Sequence, residues 1–350
     1  MEKTKDYTGL LQRLIAIPSF SGEESETADE IVAFLRKRDI STQRHQNNVW
    51  ALNKYFDPEK PTLLLNSHHD TVRPNSGYTR DPFSPDIENK RLYGLGSNDA
   101  GAALVGLLAT FVHFYAQENL NYNLLFAATA EEENSGKNGI RAVLPQFPPI
   151  TVAIVGEPTQ MQLAIAEKGL LVIDAYAKGK PGHAAHSNTK NPIYKAVSDI
   201  DWLSTYHFPK ESALLGKVKI SVTQIEAGTQ HNVVPEQCHF VIDVRVNEHY
   251  TNREVFKYLD QHTLSRLEAR SFRHNSSGIT LEHPLVKAGI ALGRQTYGSP
   301  TLSDQAALDV PSLKLGPGDS TRSHQANEFI CLSEIEKGIE LYQKLLAQVL

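Results

Sequence analysis

Three glutamates stand side by side in AATAEEENSGKNG, residues 127–139. A run of like charge is by default a solvated face of a fold. What surrounds it supports another reading. The run follows the apolar stretch NLLFAAT (123–129), and two other short apolar stretches also end on groups able to bind a cation. TLLLN (62–66) runs into SHHD (67–70), which holds His68 and Asp70, and TVAIV (151–155) runs into GEP (156–158), which holds Glu157. Asp99 lies in the glycine-rich GLGSNDAG, where the alternative role is an N-cap for the helix that follows. His324, in GPGDSTRSHQANEF (316–329), follows a further strand candidate, PSLKLG; as one of 14 histidines it reads by itself as an ordinary surface or core residue.

Oxygen and nitrogen donors without thiolate suit Zn²⁺, Co²⁺ or Mn²⁺, and at a catalytic rather than a structural site. Carboxylates packed this densely repel one another unless a cation offsets their charge. Two divalent ions would do so, and a water shared between them would have its pKa lowered towards ~7, giving a hydroxide nucleophile at neutral pH.

Such chemistry needs elements that bring the groups together. Each apolar run is long enough for a strand buried on both faces. Between the first two lies GLGSNDAGAALVGLLATFVHFYA, a glycine-rich turn leading into a long apolar helix. Strand and helix alternating in this way predict a mostly parallel sheet with helices on both faces. In an open parallel sheet, ligands bind beyond the carboxyl ends of the strands, so the acids and histidines would gather at one edge. A first helix is expected over residues 5–16, stopped by Pro18, and Ser21 with Glu24 has capping-box spacing for a second. After about residue 167 the order becomes strand LLVIDAYA, helix NPIYKAVSDIDWLSTY, strands KVKISVTQI and CHFVIDVRV, helix NREVFKYLDQHTLSRL, and a weaker strand near ARSFRH. That order is βαββαβ, a ferredoxin-like unit, with Thr251 and Glu254 forming a capping box for its second helix. From about residue 280 the chain returns to the first domain and closes on an amphipathic helix carrying Ile335, Ile339, Tyr342, Leu345 and Leu346. The expected fold class is therefore α/β: a catalytic domain of residues 1–167 and 280–350, with residues 168–279 inserted as a ferredoxin-like lid.

Two domains also suit a chain of 350 residues. With 35 Lys and Arg against 40 Asp and Glu, the net charge of −5 offers no broad basic surface to nucleic acid or an anionic membrane, which points to a small-molecule partner. Cys238 and Cys331 are too few for a disulfide framework and match no zinc ribbon, so any metal falls to His, Asp and Glu. MEKTKDYTGLLQRLIAI lacks a signal pattern, and no stretch approaches the roughly 18 apolar residues of a membrane span; a cytoplasmic location is the expectation. GLGSNDAG lacks the G-x-G-x-x-G spacing because Asp99 occupies the last glycine position, which argues against a dinucleotide cofactor.

Taken in order, these motifs resemble the dizinc aminoacylase and carboxypeptidase family that includes acetylornithine deacetylase and succinyl-diaminopimelate desuccinylase. The resemblance covers nearly the whole chain. It implies that His68 ligates one metal while Asp70, behind it, fixes the tautomer of the ring. It makes Asp99 a bridging ligand and Glu157, Glu133 and His324 the remaining ligands. The family's Asp-Glu-Glu, with a glycine six residues beyond, falls on Glu131, Glu132, Glu133 and Gly139. Glu132 is then the general base, which takes a proton from water and passes it to the leaving amine, and Glu131 is a local structural acid. A one-residue slip, with Glu131 as base and Glu132 as ligand, is the alternative.

The inserted unit resembles the family's dimerisation domain and so implies a homodimer. Its Gly-His in KGKPGHAAHSNTKNP would place His183 in the partner's active site as an oxyanion donor, worth roughly 3 kcal/mol. Asn232 in GTQHNVVP and Arg245 in DVRV match positions that hold the substrate carboxylate, which an arginine fork grips with two parallel hydrogen bonds. Gly316, Pro317 and Gly318 match the turn that shapes the pocket near His324. Where the family commonly has Asp-Met-Lys-Gly, this chain has Asp99-Ala100-Gly101-Ala102, a departure that spares the ligands but blurs the subfamily. The compact length looks most like an acetylornithine deacetylase-like branch. The implied function is removal of an N-acyl group, N-acetylornithine giving ornithine and acetate in arginine biosynthesis. The same machinery also suits succinyl-ornithine, succinyl-diaminopimelate or a dipeptide. A non-catalytic relative would be expected to lack the base or a ligand, and none is missing here.

Overall fold

A computed structural model describes residues 2–350. The chain forms two compact units, one comprising the chain up to Ile165 with Gly278–Tyr297 and Ser303–Leu350, the other comprising Ala166–Ser277 with Gly298–Leu302.

The first unit is built on a sheet whose centre is parallel. Strand Thr62–His68 runs between Asn123–Thr129 and Val152–Val155, parallel to both, and Ser312–Lys314 continues the parallel set beyond Val152–Val155. Asn48–Leu52 adds an antiparallel strand on the outer side of Asn123–Thr129. The apolar runs are continuous because both faces are covered. Leu63, Leu65, Leu124, Phe126, Val152 and Ile154 enter one core with the helices Glu2–Ile15, Ala102–Phe114 and Leu332–Leu346. The alternate residues Leu64, Leu125, Ala127, Ala153 and Val155 enter another with Trp50, Ile140, Val143 and Phe147. A fully buried leucine or phenylalanine contributes about 1.5–3 kcal/mol, so the strands are firm anchors for whatever their ends carry. Tyr342, wholly buried in the last helix, donates its hydroxyl to the carbonyl of Leu315, tying that helix to the turn at Gly316.

The second unit holds a four-stranded antiparallel sheet in the order Lys219–Ala227, Gln237–Val246, Gly169–Lys178, Arg266–Ala269. The order along the chain is strand, helix, strand, strand, helix, strand, the helices being Pro192–Thr205 and Asn252–His262. Gly169–Lys178 alternates buried and half-buried positions, as a sheet covered on one face should. Leu171, Ile173, Phe240 and Ile242 share a core with Ala196 and Leu203 of one helix and Val255 and Leu259 of the other. The capping box of Thr251 and Glu254 is present.

Three local expectations are corrected. Ser21 caps no helix: the second helix is Ser25–Arg36, with Glu24 at its N-cap, and Ser21 Oγ instead donates to Asp70 Oδ2 at 2.7 Å. The helix expected as far as Leu267 stops at His262, because the Asp199 carboxylate takes the backbone N–H groups of Leu264 and Ser265, both at 2.8 Å, and pulls the chain out of helical register. The last strand is therefore Arg266–Ala269, earlier than ARSFRH, and Arg270 turns aside to grip Asp174 with two nitrogens, at 2.7 and 2.9 Å. Among the described residues no helix is long and apolar enough to cross a membrane.

Candidate metal centre

Parallel register brings the ligand candidates to one level. His68 ends its strand opposite Thr129, so Ala130–Glu133 leaves the neighbouring strand beside it. Asn66 stands opposite Val155, so Glu157 emerges on the other side, where Ser67 Oγ donates to the Gly156 carbonyl at 2.9 Å.

His68 is 1% exposed. Its Nδ1 lies 3.0 Å from the Asp70 carbonyl and 3.3 Å from Asp70 Oδ1, so Nδ1 carries the proton in the neutral ring. Its Nε2 makes no hydrogen bond and lies 3.5 Å from Asp99 Oδ1 and 4.0 Å from Glu132 Oε2.

Asp70 has a second task. Its two carboxylate oxygens accept the backbone N–H groups of Glu132 at 3.0 Å and Glu133 at 3.1 Å, which holds the acidic turn in place. Burial works against its charge, but His68, Ser21 and the Glu133 N–H outweigh burial and keep its pKa below the ordinary value. Within the same turn Glu131 is diverted. It has a φ of 53°, its N–H goes to Glu24, and its carboxylate accepts from the backbone and side-chain nitrogens of Asn138 at 3.0 and 2.7 Å. The Glu132 and Glu133 side chains are 14% and 9% exposed, so the run is not a solvated face.

Asp99 sits in the short helical turn Ser97–Gly101, with Gly101 at the N-cap of the helix Ala102–Phe114. It caps nothing. The Asp99–Ala100 peptide is cis. Gly96 opens the turn at φ 76°, where a Cβ would also come within 2.6 Å of the Thr71 methyl group. The Gly316–Gly318 turn is latched to the same place, since the Asp319 N–H and carbonyl both bond the Asn98 side chain, at 2.9 and 3.1 Å. His324, held at φ 60°, points Nε2 at Glu133 Oε2 (3.0 Å) and Asp99 Oδ2 (3.7 Å). Asp99 thus faces one histidine with each oxygen.

Two groups of donor atoms lie close enough to share an ion: His68, Asp99 and Glu133, and His68, Glu132 and Glu157. The electrostatics fit cations. Burial, reinforced by Asp99, pushes Glu157 up to about 8, and burial raises Glu132 and Glu133 as well, their acidic neighbours adding to it. The hydrogen bond to Glu133 lifts His324 to about 9. Burial alone would keep His68 neutral, yet Asp70, Asp99 and Glu132 hold its pKa well above the ordinary value. An orphaned imidazole nitrogen ringed by carboxylates that resist ionising together suits divalent cations.

Sequence reasoning missed two neighbours. Asp304 is buried and accepts from Thr129 Oγ1 at 2.6 Å; burial raises its pKa to about 6. Glu328, 3% exposed, accepts backbone N–H groups of the Asp99 turn. Neither stands in a motif, and their partners lie 175 and about 230 positions away, beyond any spacing rule.

His183, Asn232 and Arg245 belong to the second unit. His183 is exposed, pairs with Val233 across a short antiparallel bridge, and accepts the Ala185 N–H on Nδ1 at 3.1 Å, leaving Nε2–H free to donate. Asn232 is beside it, its carbonyl taking the Ala184 N–H at 2.9 Å. Arg245 is near the other end of the ten-residue strand Gln237–Val246, its guanidinium forked onto Asp243 at 2.8 and 3.1 Å.

Comparison with known proteins bears on this arrangement. The family model described as peptidase family M20/M25/M40 matches residues 64–348. A succinyl-diaminopimelate desuccinylase of Xylella fastidiosa (strain M23) is 27% identical to the chain over 99% of both sequences. The M20 family metallo-carboxypeptidase Sso-CP2 from Sulfolobus solfataricus has a similar structure, with a TM-score of 0.80 over 98% of this chain and 99% of that one, at 19% identity. The YXEP protein of Bacillus subtilis, described as a dinuclear metal binding peptidase from the M20 family, gives 0.71 over 99% and 98%, at 18% identity. The two structural likenesses speak for the fold alone. The family match runs from the first ligand-bearing strand into the last helix, and the chain is therefore a member of peptidase family M20/M25/M40, a family of metal-dependent hydrolases.

Proposed function

We propose that the protein hydrolyses the amide bond of an N-acyl amino acid, with one divalent cation held by His68, Asp99 and Glu157 and a second by Asp99, Glu133 and His324. The observation that carries this reading is the Asp99 carboxylate, which turns Oδ1 to His68 and Oδ2 to His324. Zn²⁺ suits the donor set best, with Co²⁺ or Mn²⁺ as substitutes. Bound there, the pair would polarise the amide carbonyl and supply a water acidified towards ~7.

Glu132 is the proton carrier. Its carboxylate makes no hydrogen bond among the described residues, whereas that of Glu131 is spent on Asn138, which supports Glu132 rather than Glu131 as the base. It takes a proton from the attacking water and delivers it to the departing amine nitrogen. Asp70 keeps the base and the ligand beside it on their separate courses by holding both backbone N–H groups.

The second unit supplies substrate contacts in this reading. The strand between the Asn232 end and Arg245 spans roughly 25 Å at ~3.3 Å per residue, too far for His183, Asn232 and Arg245 of one chain to meet one small substrate. A second copy resolves this. Lys219–Ala227 is an edge strand with Ile225 52% exposed, and the helix Pro192–Thr205, which packs on the same sheet, exposes Tyr194 at 74% and Val197 at 53%. Such an edge favours pairing with a like edge. The protein is expected to be a dimer by light scattering, and Ile225→Asp to be monomeric with greatly reduced turnover. A monomeric variant with full turnover would remove His183 from any role in a partner's site.

For the substrate, N-acetylornithine is the proposal made from sequence, while the similar desuccinylase spans the whole chain and favours a succinyl group as a second reading. Release of free amine from N-acetylornithine, N-succinylornithine, N-succinyl-diaminopimelate and a dipeptide, by zinc-loaded and chelated protein, distinguishes them. Zinc-dependent turnover of one acyl amino acid supports the proposal and selects its acyl group. Turnover of the dipeptide alone makes the protein a peptidase, and inertness towards all four in protein carrying two cations refutes the deacylase reading.

A further inference from the structure

Glu328 is a buried acid that the mechanism above leaves unused. It immediately precedes the strand Phe329–Cys331, which pairs antiparallel with Arg91–Tyr93, the strand that leads into the Asp99 turn. Its carboxylate is devoted to that turn. Oε1 accepts the N–H groups of Asn98 at 2.8 Å and Asp99 at 2.9 Å, and Oε2 accepts that of Gly96 at 3.2 Å. The Glu328 carbonyl accepts a fourth, from Gly94, at 3.0 Å. The turn has no side-chain cap of its own. One residue thus holds four N–H groups, three of them through its side chain, and so largely fixes the course of residues 94–99.

The same stretch also fixes His324. Asn327 Oδ1 accepts the N–H groups of Thr79 and Arg80, both at 3.0 Å, and Asn75 donates to the His324 carbonyl at 3.1 Å. Five consecutive residues, 324–328, therefore offer one ligand candidate and clamp the backbone of another. Asp99 can serve both histidines only if its two oxygens stay at balanced distances, 3.5 Å from His68 and 3.7 Å from His324. Any rocking of the turn shortens one distance at the expense of the other.

We propose that Glu328 is a positioning residue that sets the bridging geometry of Asp99 and so determines how tightly the second cation is held. The inference rests on the two-cation reading above. Groups that orient ligands from behind typically change metal affinity or activity by roughly 10–100-fold when mutated. Glu328→Gln is the informative variant: it keeps the size of the side chain and one acceptor oxygen, but puts an NH₂ against one set of N–H donors. Glu328→Ala removes the clamp altogether.

The test is calorimetric titration of the metal-free full-length protein and of both variants with Co²⁺, together with the visible Co²⁺ spectrum and steady-state kinetics. In Glu328→Gln the first Co²⁺ is expected to bind as in the wild type and the second about 10–100-fold more weakly. The spectrum of the second ion should change, and kcat should fall while KM holds, with partial rescue by excess Co²⁺. If Glu328→Gln binds both ions with wild-type affinity and spectrum, the inference is overturned, even if the metal-free variant melts earlier, because a purely structural acid would give that result. Wild-type protein that takes up fewer than two ions overturns the two-cation reading instead, and this inference with it.

Discussion

Replacing Glu132 with glutamine is expected to lower kcat by about 10²–10⁴-fold while both cations remain bound. The amide fills the same space but cannot accept a proton. Because the Glu132 carboxylate has no hydrogen-bond partner among the described residues, its replacement leaves the turn, held through Asp70 and Glu24, undisturbed. KM should change little. Glu133→Gln is the contrast: it disturbs the 3.0 Å contact with His324 and should lose the second cation as well as turnover. Metal content by mass spectrometry beside steady-state kinetics separates the two. A readout independent of turnover exists as well. Burial, with Glu157, Asp304 and Glu133, pushes the Glu132 carboxyl well above its ordinary pKa, so the metal-free Gln variant should be more stable than metal-free wild type at neutral pH. An active Glu132→Gln protein would put the base elsewhere.

Chelation is expected to abolish turnover and to lower the melting temperature, and zinc to restore both. A ligand at 100 times its Kd stabilises the fold by about 2.7 kcal/mol, and a unit of 150–250 residues gains roughly 2–4 °C per kcal/mol, so one tightly bound cation should raise Tm by about 5–10 °C. The effect should grow with pH. In the metal-free protein Glu157 is raised to about 8, so the fold retains its proton where the unfolded chain has lost it, and stability falls progressively from the ordinary carboxylate range up to about 8. His324 is raised to about 9, so its contribution is complete below about 6.5 and is lost progressively as pH rises to about 9. Both shifts mean that the folded state holds more protons than the unfolded one, and both make metal-free stability fall as pH rises. Bound cations take over the charge-balancing role of those protons and should flatten the decline. Thermal melts between pH 6 and 9, with and without zinc, measure it; parallel profiles in the two series would contradict a cation at this centre.

The sheet was legible because burial on both faces leaves the middle of each strand apolar: the runs within TLLLN, NLLFAAT and TVAIV each feed two cores, and the cation-binding groups lie at or just beyond the strand ends. Local rules failed where a distant side chain intervened. Ser21 has cap spacing, but Asp70, 49 residues on, takes its hydroxyl. The helix after Asn252 had the pattern to continue, but Asp199 claims the next two N–H groups from 66 residues or so away. Glu328 carried no signal at all, since its partners are the N–H groups of a turn some 230 residues earlier and an N–H looks the same in every residue but proline.

The order of residues sufficed for the donor types and for their convergence. Ligands placed directly after parallel strands must emerge at one edge, whatever the loops do. Residue type alone could not apportion roles among Glu131, Glu132 and Glu133, which are chemically identical neighbours, and the register implied by the resemblance left a one-residue slip open. In the folded chain their surroundings differ: the Glu131 carboxylate meets Asn138, that of Glu133 faces His324 and that of Glu132 makes no hydrogen bond among the described residues, while Asp70 and Glu24 hold the three N–H groups. Adjacent side chains in a turn diverge, so the folded backbone, held from residues far away in sequence, decides which of three equal acids meets which partner.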